Sequence, residues 1–163
     1  MSSKLGNLRA AITAERHLVG ATPKHTDLPV FEKTSLERDV IKAALLDNFF
    51  FRKLNKEQVD KLTDAMEKRT YPKGAEVIQE EAEGIYMYIL VAGEVKIMRG
   101  MEHVCNLHPG CLFGEMALLY NCKRTASVIA IENITTWVFG HKVKYYMTDD
   151  SSTMSSDTFL SNL

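Results

Sequence analysis

Phe113-Gly-Glu-Met-Ala-Leu-Leu-Tyr-Asn-Cys-Lys-Arg-Thr-Ala-Ser-Val128 sets a glycine and a carboxylate at the mouth of a short helix, then an arginine in a small-residue strand. Gly114 lets the backbone come close to a ligand. The amides after it sit at a helix start, where unpaired N–H groups favour an anion. Arg124 can give two parallel charge-assisted hydrogen bonds to phosphate oxygens. An ionised Glu115 only accepts, so it suits a sugar hydroxyl and not a phosphate. A carboxylate for ribose beside an arginine for phosphate is a nucleotide arrangement.

On both sides of this stretch the apolar residues alternate as in strands, punctuated by Gly and Pro. Strands are expected at 77–78, 86–91, 94–98, 103–107, 126–131 and 135–139. Arg99-Gly100-Met101-Glu102 reads as a hairpin turn, with Gly100 where positive φ is tolerated. So many short, closely spaced strands indicate a β-barrel or jelly roll. The stretch 115–119 interrupts them as a single helical turn. Upstream, Thr34-Ser-Leu-Glu37 and Asn55-Lys-Glu-Gln58 are capping signals. Leu36, Val40, Ile41, Ala44 and Leu45 repeat at helical spacing, as do Val59, Leu62, Ala65 and Met66. Two helices, at 35–47 and 56–68, are therefore expected. Of Phe49, Phe50 and Phe51 between them, at least two should be buried where helices meet sheet. A further helix is expected over 141–147. The fold class is mainly β with flanking helices (α+β).

The chain has 163 residues, enough for one compact domain with extensions. Charged residues make up 25% and hydrophobic ones 45%, ordinary for a soluble globular protein. A net charge of −1 gives no bulk attraction to nucleic acid or an anionic membrane, so neither is expected as a partner. The apolar run 85–92 is too short to span a bilayer. Cys105, Cys111 and Cys122 form no Cys-x-x-Cys pair; they read as small, half-buried residues in a reducing, cytoplasmic setting. His17, His25, His103, His108 and His141 lack metal-ligand spacing, so no metal is expected. Nucleotide-kinase loops and a catalytic constellation are absent from the sequence, which leaves no candidate catalytic residue.

The cassette Phe-Gly-Glu-x-Ala-Leu, followed by Arg-Thr-Ala-x-Val, resembles the phosphate-binding cassette of cyclic-nucleotide-binding domains. The full string is similar to the first such domain of cGMP-dependent protein kinases. Pro109-Gly110, Gly93 in Gly-Glu-Val, and Ile41-Lys-Ala-Ala-Leu-Leu-Asp-Asn48 agree with it. The resemblance covers residues 34–148 and implies a cyclic-nucleotide-binding β-roll with N-terminal helices, a cassette helix and a C-terminal helix. Residues 1–33 are then a flexible N-terminal segment, and 149–163 a linker with the start of a following helix. The kinases of this family carry two tandem domains and a catalytic domain, so the chain reads as a fragment or short product with no enzyme activity of its own.

The resemblance also implies roles. Gly114, Glu115, Met116, Ala117, Arg124, Thr125 and Ala126 would line the ligand, with Arg124 on phosphate and Glu115 on the ribose 2′-hydroxyl. Thr125 would favour cGMP by accepting from the guanine 2-amino group. Val104 and Cys105 fall where the relatives flank the guanine edge, and a thiol there is a weak donor, so cAMP should also bind. No cofactor is implied. Where relatives have Gly-Asp, this chain has Glu81-Ala82; the loop is expected to run differently, because positive φ at Glu81 would be strained. Arg9, Ile12 and Thr13 are similar to an autoinhibitory segment that occupies the kinase catalytic domain. The alternatives are a sensor domain of a channel or exchange factor, and a ligand-free docking domain of the same fold.

Overall fold

The computed structural model describes residues 28–140. Two helices come first: α1 (Ser35–Asp47) and α2 (Lys56–Ala65). Both start with reciprocal capping boxes. Glu37 N–H donates to Thr34 Oγ1 at 3.2 Å while Thr34 N–H donates to the Glu37 carboxylate at 2.9 Å. Asn55 and Gln58 make the same exchange at 2.9 and 3.0 Å. Each box satisfies two backbone donors that would otherwise be orphaned. The buried stripe of α1 is Ile41, Ala44 and Leu45; Leu36, expected on it, is 74% exposed.

The second helix ends at Ala65, not at 68. Met66 turns extended, and the next residues form β1 (Glu67–Tyr71), paired residue for residue with β8 (Ile134–Gly140). Glu-Lys-Arg is a good helix sequence, but the cross-strand backbone bonds and a burial pattern alternating along β1 override it. The other strands are β2 (Glu76–Ile78), β3 (Tyr86–Ala92), β4 (Val95–Arg99), β5 (Glu102–Leu107), β6 (Leu112–Phe113) and β7 (Ser127–Ala130). The third helix, α3 (Glu115–Tyr120), interrupts them where a helical turn was expected. β1 and β6 were absent from the sequence expectation.

The strands form two antiparallel four-stranded sheets, in the orders β1-β8-β3-β6 and β2-β7-β4-β5. The period-two alternation of β3 explains how three layers are held. Met87 and Ile89 face the helices, packing with Ile41, Leu45, Phe51, Leu62 and Met66. Tyr88 and Leu90 face the second sheet, packing with Ile78, Val95, Val128 and Ile134. A strand covered on both faces has to be apolar throughout, which is why it reads as an unbroken run.

Of the three adjacent phenylalanines only Phe51 is fully buried. Phe50 is half-buried, its ring 5.8 Å from that of Tyr120 on α3 in an edge-on arrangement. Phe49 is exposed, with the Arg52 guanidinium 4.8 Å from its ring. A tight turn at the end of α1 leaves one inward direction, so the expected second buried ring stops at the surface of the core.

Trp137 on β8 lies beneath the helical layer. The ammonium groups of Lys33 and Lys68 sit 5.1 and 5.5 Å from its ring, a cation–π contact on each count. Among the described residues no acceptor reaches its buried Nε1. Lys68 also meets Glu37 at 2.8 Å, which with the Thr34 N–H holds that carboxyl down at about 2. Arg38 pairs with Asp64, and Lys42 with Asp60, across the two helices. No helix among the described residues is long and apolar enough to cross a membrane.

The candidate nucleotide site

The site is built where α3 leaves the first sheet. Gly114 is its N-cap in the left-handed region, φ 81° and ψ 3°. Only glycine takes this conformation without strain, and a Cβ there would press on Arg124 Nη1 and Ile78 Cδ1, each at 3.0 Å. The turn aims the Gly114 carbonyl at Arg124.

Arg124 is buried, 7% exposed. Its Nη1 donates to Gly114 O and its Nη2 to Tyr86 O, both at 2.7 Å. Two fixed carbonyls therefore set the plane of the guanidinium. Gly84 lies against that plane: a Cβ at Gly84 would stand 2.5 Å from Arg124 Cζ and 2.6 Å from the Ala117 methyl. Gly84 cannot be larger without moving the guanidinium or the Ala117 methyl. The Arg124 backbone is fixed as well, its N–H donating to Ala82 O at 2.8 Å and its carbonyl accepting from Glu81 N–H at 2.9 Å.

That pairing needs the loop before β3 to turn sharply, and Glu81 does so at φ 65°. The sequence expectation that this loop avoids positive φ is overturned. The backbone keeps the left-handed turn although a glutamate occupies it, and the two bonds to Arg124 oppose the strain of ~1–2 kcal/mol.

Glu115 is half-buried at the first position of α3. Burial pushes its carboxyl above the ordinary 4.5; its own backbone N–H, the Asn48 side chain and the nearby Arg124 charge oppose this. Asn48 is also the C-cap of α1 and accepts from Phe50 N–H at 2.9 Å, so one side chain joins the end of α1 to the start of α3.

The structure thus brings together Gly114, Glu115, Ala117 and Arg124. Met116 is 42% exposed. Thr125 is exposed and Ala126 half-buried where the chain enters β7. Val104 and Cys105 lie on exposed β5, with β4 between them and β7: Cys105 is opposite Ile97, which is opposite Val128. Two inter-strand spacings put β5 about 10 Å from β7 across this sheet, with β4 filling the interval. Cys105 and Cys122 are exposed and not half-buried as expected; β5 is an edge strand, and Cys122 follows the end of α3. Arg9, Ile12 and Thr13, and the expected helix at 141–147, lie outside the described residues. Gly84, Asn48 and the Tyr86 carbonyl were missed as site groups; the signal for the first was a glycine directly before an apolar strand. Among the described residues no cluster of His, Cys, Asp or Glu would hold a metal ion.

A two-sheet roll with a short helix inserted beside a buried arginine defines a class, and residues 68–147 match the cyclic nucleotide-binding domain family. The chain carries a cyclic nucleotide-binding domain, related to those of cGMP-dependent protein kinases. It is 34% identical over 111 residues to human cGMP-dependent protein kinase 2, covering 68% of this chain and 15% of that protein. Against isozyme 1 of the Drosophila melanogaster cGMP-dependent protein kinase, identity is 35% over 117 residues, 71% of this chain and 15% of that one. Among solved structures, cAMP-bound PfPKA-R (141-441) superposes with a TM-score of 0.69 at 31% identity, covering 74% of this chain and 45% of that one. The chain therefore spans only a small part of its curated relatives.

Proposed function

We propose that this domain binds cGMP, tolerates cAMP, and serves as a regulatory element of a cGMP-dependent Ser/Thr protein kinase. The reading rests on Arg124: a buried guanidinium oriented by two carbonyls, with glycines 84 and 114 clearing space around it. Such a fork suits a singly charged cyclic phosphate. Glu115 takes the ribose 2′-hydroxyl, while Gly114, Met116, Ala117 and Ala126 shape the wall. Thr125 accepts from the guanine amino group, and Val104 and Cys105 flank the base. Thr125 contributes one hydrogen bond, ~0.5–1.5 kcal/mol, so the preference for cGMP is about tenfold at most. In the parent kinase, ligand binding relieves autoinhibition by the segment holding Arg9, Ile12 and Thr13. Kinship with cGMP-dependent protein kinases and the free thiols fit a cytoplasmic location.

The test is calorimetric titration of both nucleotides into the wild type and Arg124→Ala. Truncating one partner of a desolvated charge pair costs ~2–5 kcal/mol, so the variant should lose about 30-fold or more in affinity. Retention within about threefold, or no binding of either nucleotide by the wild type, overturns the reading. The second outcome would leave a ligand-free docking domain.

A further inference from the structure

The loop that abuts Arg124 also reaches a part of the molecule with no place in the cassette. Gly100 N–H, at the tip of the β4–β5 hairpin, donates to Glu80 Oε2 at 2.6 Å. Glu80 is itself anchored, its N–H donating to Ser127 Oγ at 2.9 Å, and that hydroxyl donates to Glu76 Oε1 at 3.0 Å. One residue on, Glu81 and Ala82 make the two backbone bonds to Arg124. The loop from 80 to 82 is thus bonded at one end to the arginine segment and at the other to the hairpin tip.

The tip has little else to hold it on that side. Gly100 has positive φ with nothing within 4 Å of its Cβ direction, and Met101 is 98% exposed. The strand that the tip leads into, β5, is a sheet edge whose pairing with β4 shifts register between Ile97 and Met98, just opposite Val104. A bulged edge strand is bonded on one side only, and its ladder is interrupted at the bulge. This strand carries Val104 and Cys105, so its position sets where those two residues stand relative to Arg124.

We infer that Glu80 is a positioning residue for the base of the bound nucleotide: its carboxylate latches the β4–β5 hairpin to the loop that holds Arg124. This rests on the cyclic-nucleotide reading above. The latch acts on the wall formed by Val104 and Cys105 and leaves the phosphate fork unaltered. It therefore governs ligands that carry a base and is indifferent to those that do not.

The test compares cGMP, cAMP and a base-free ribose 3′,5′-cyclic phosphate on wild type, Glu80→Ala and Glu80→Gln, by competition binding. Loss of one such hydrogen bond should weaken cGMP and cAMP about fivefold in Glu80→Ala and leave the base-free ligand within about twofold. Glu80→Gln keeps an acceptor oxygen at the same reach and should restore both. Equal weakening of all three ligands overturns the inference, since that is the mark of a merely structural residue. So does an unchanged affinity in Glu80→Ala. Failure of the wild type to bind any of them removes the cyclic-nucleotide reading and the latch with it, an outcome distinct from the previous two.

Discussion

At the residue scale, space around one guanidinium decides what the site tolerates. Gly84 is replaceable only if its neighbours move, because the added Cβ meets a guanidinium that two carbonyls hold in place and, beside it, the Ala117 methyl. Gly84→Ala should cost ~1–3 kcal/mol in a urea melt, as overpacking does, and less when Arg124 is already alanine, where only the Ala117 methyl remains in the way. Equal costs in the two backgrounds would show the clash lies elsewhere. Glu115 makes a pH prediction. Its folded pKa is raised, so ionisation costs stability: the favourable contribution is complete below 4.5 and is lost as pH rises through the folded value. The ionised carboxylate is the stronger acceptor for a ribose hydroxyl. Nucleotide affinity should therefore fall as pH drops through that raised value, and Glu115→Gln should bind more weakly with a flat pH profile; titrations from neutral to acid pH check it. That Gly114, Glu115 and Arg124 come together was legible because the signal is local: a glycine, a carboxylate and an arginine within one short stretch of chain. Gly84 and Asn48 were not, because they meet Arg124 and Glu115 only once distant parts of the sequence have folded together.

At the element scale, α3 is too short to stand alone, since a helix this short does not repay nucleation in water. It is held by packing. Leu118 enters the helix-side core, Ala117 is buried against Gly84, and Tyr120 meets Phe50 edge-on. Leu118→Ala should destabilise the domain by ~2–4 kcal/mol and weaken nucleotide binding as well, because the helix carries Gly114 and Glu115 at its start. Full affinity in a destabilised variant would separate the helix from the site. Elements with a strong period were readable: α1 was placed residue for residue, and β3 by its apolar run. β1 was hidden because Glu-Lys-Arg continues a helix well, and only pairing with β8, far along the chain, makes it a strand. β6 is two residues long, too short to display any period. The turn at Glu81 was misjudged for a related reason: the cost of the side chain is local, whereas the bonds that offset it come from Arg124.

At the scale of the whole molecule, the domain is a helical layer on a two-sheet roll, with β3 and β8 shared between the two cores. Ionic ties join the layers at the surface. Glu37 has its carboxyl held at about 2 by Lys68 and Thr34, so its contribution is fully present above 4.5 and is lost as pH falls through about 2. The melting temperature of Glu37→Gln should thus lie below that of wild type at neutral pH and converge with it toward pH 2; a gap unchanged with pH would rule the tie out. The β-roll was legible from its many short strands, whereas the layering was not, because alternation along β3 does not say what covers each face. Trp137 sits at that junction and is the only tryptophan in the chain. Its indole, dry and capped by two ammonium groups, is a built-in optical probe. Any slip of the helical layer over the sheet would wet the ring and shift its emission to longer wavelength, so layer movement can be followed in the unlabelled protein by light alone.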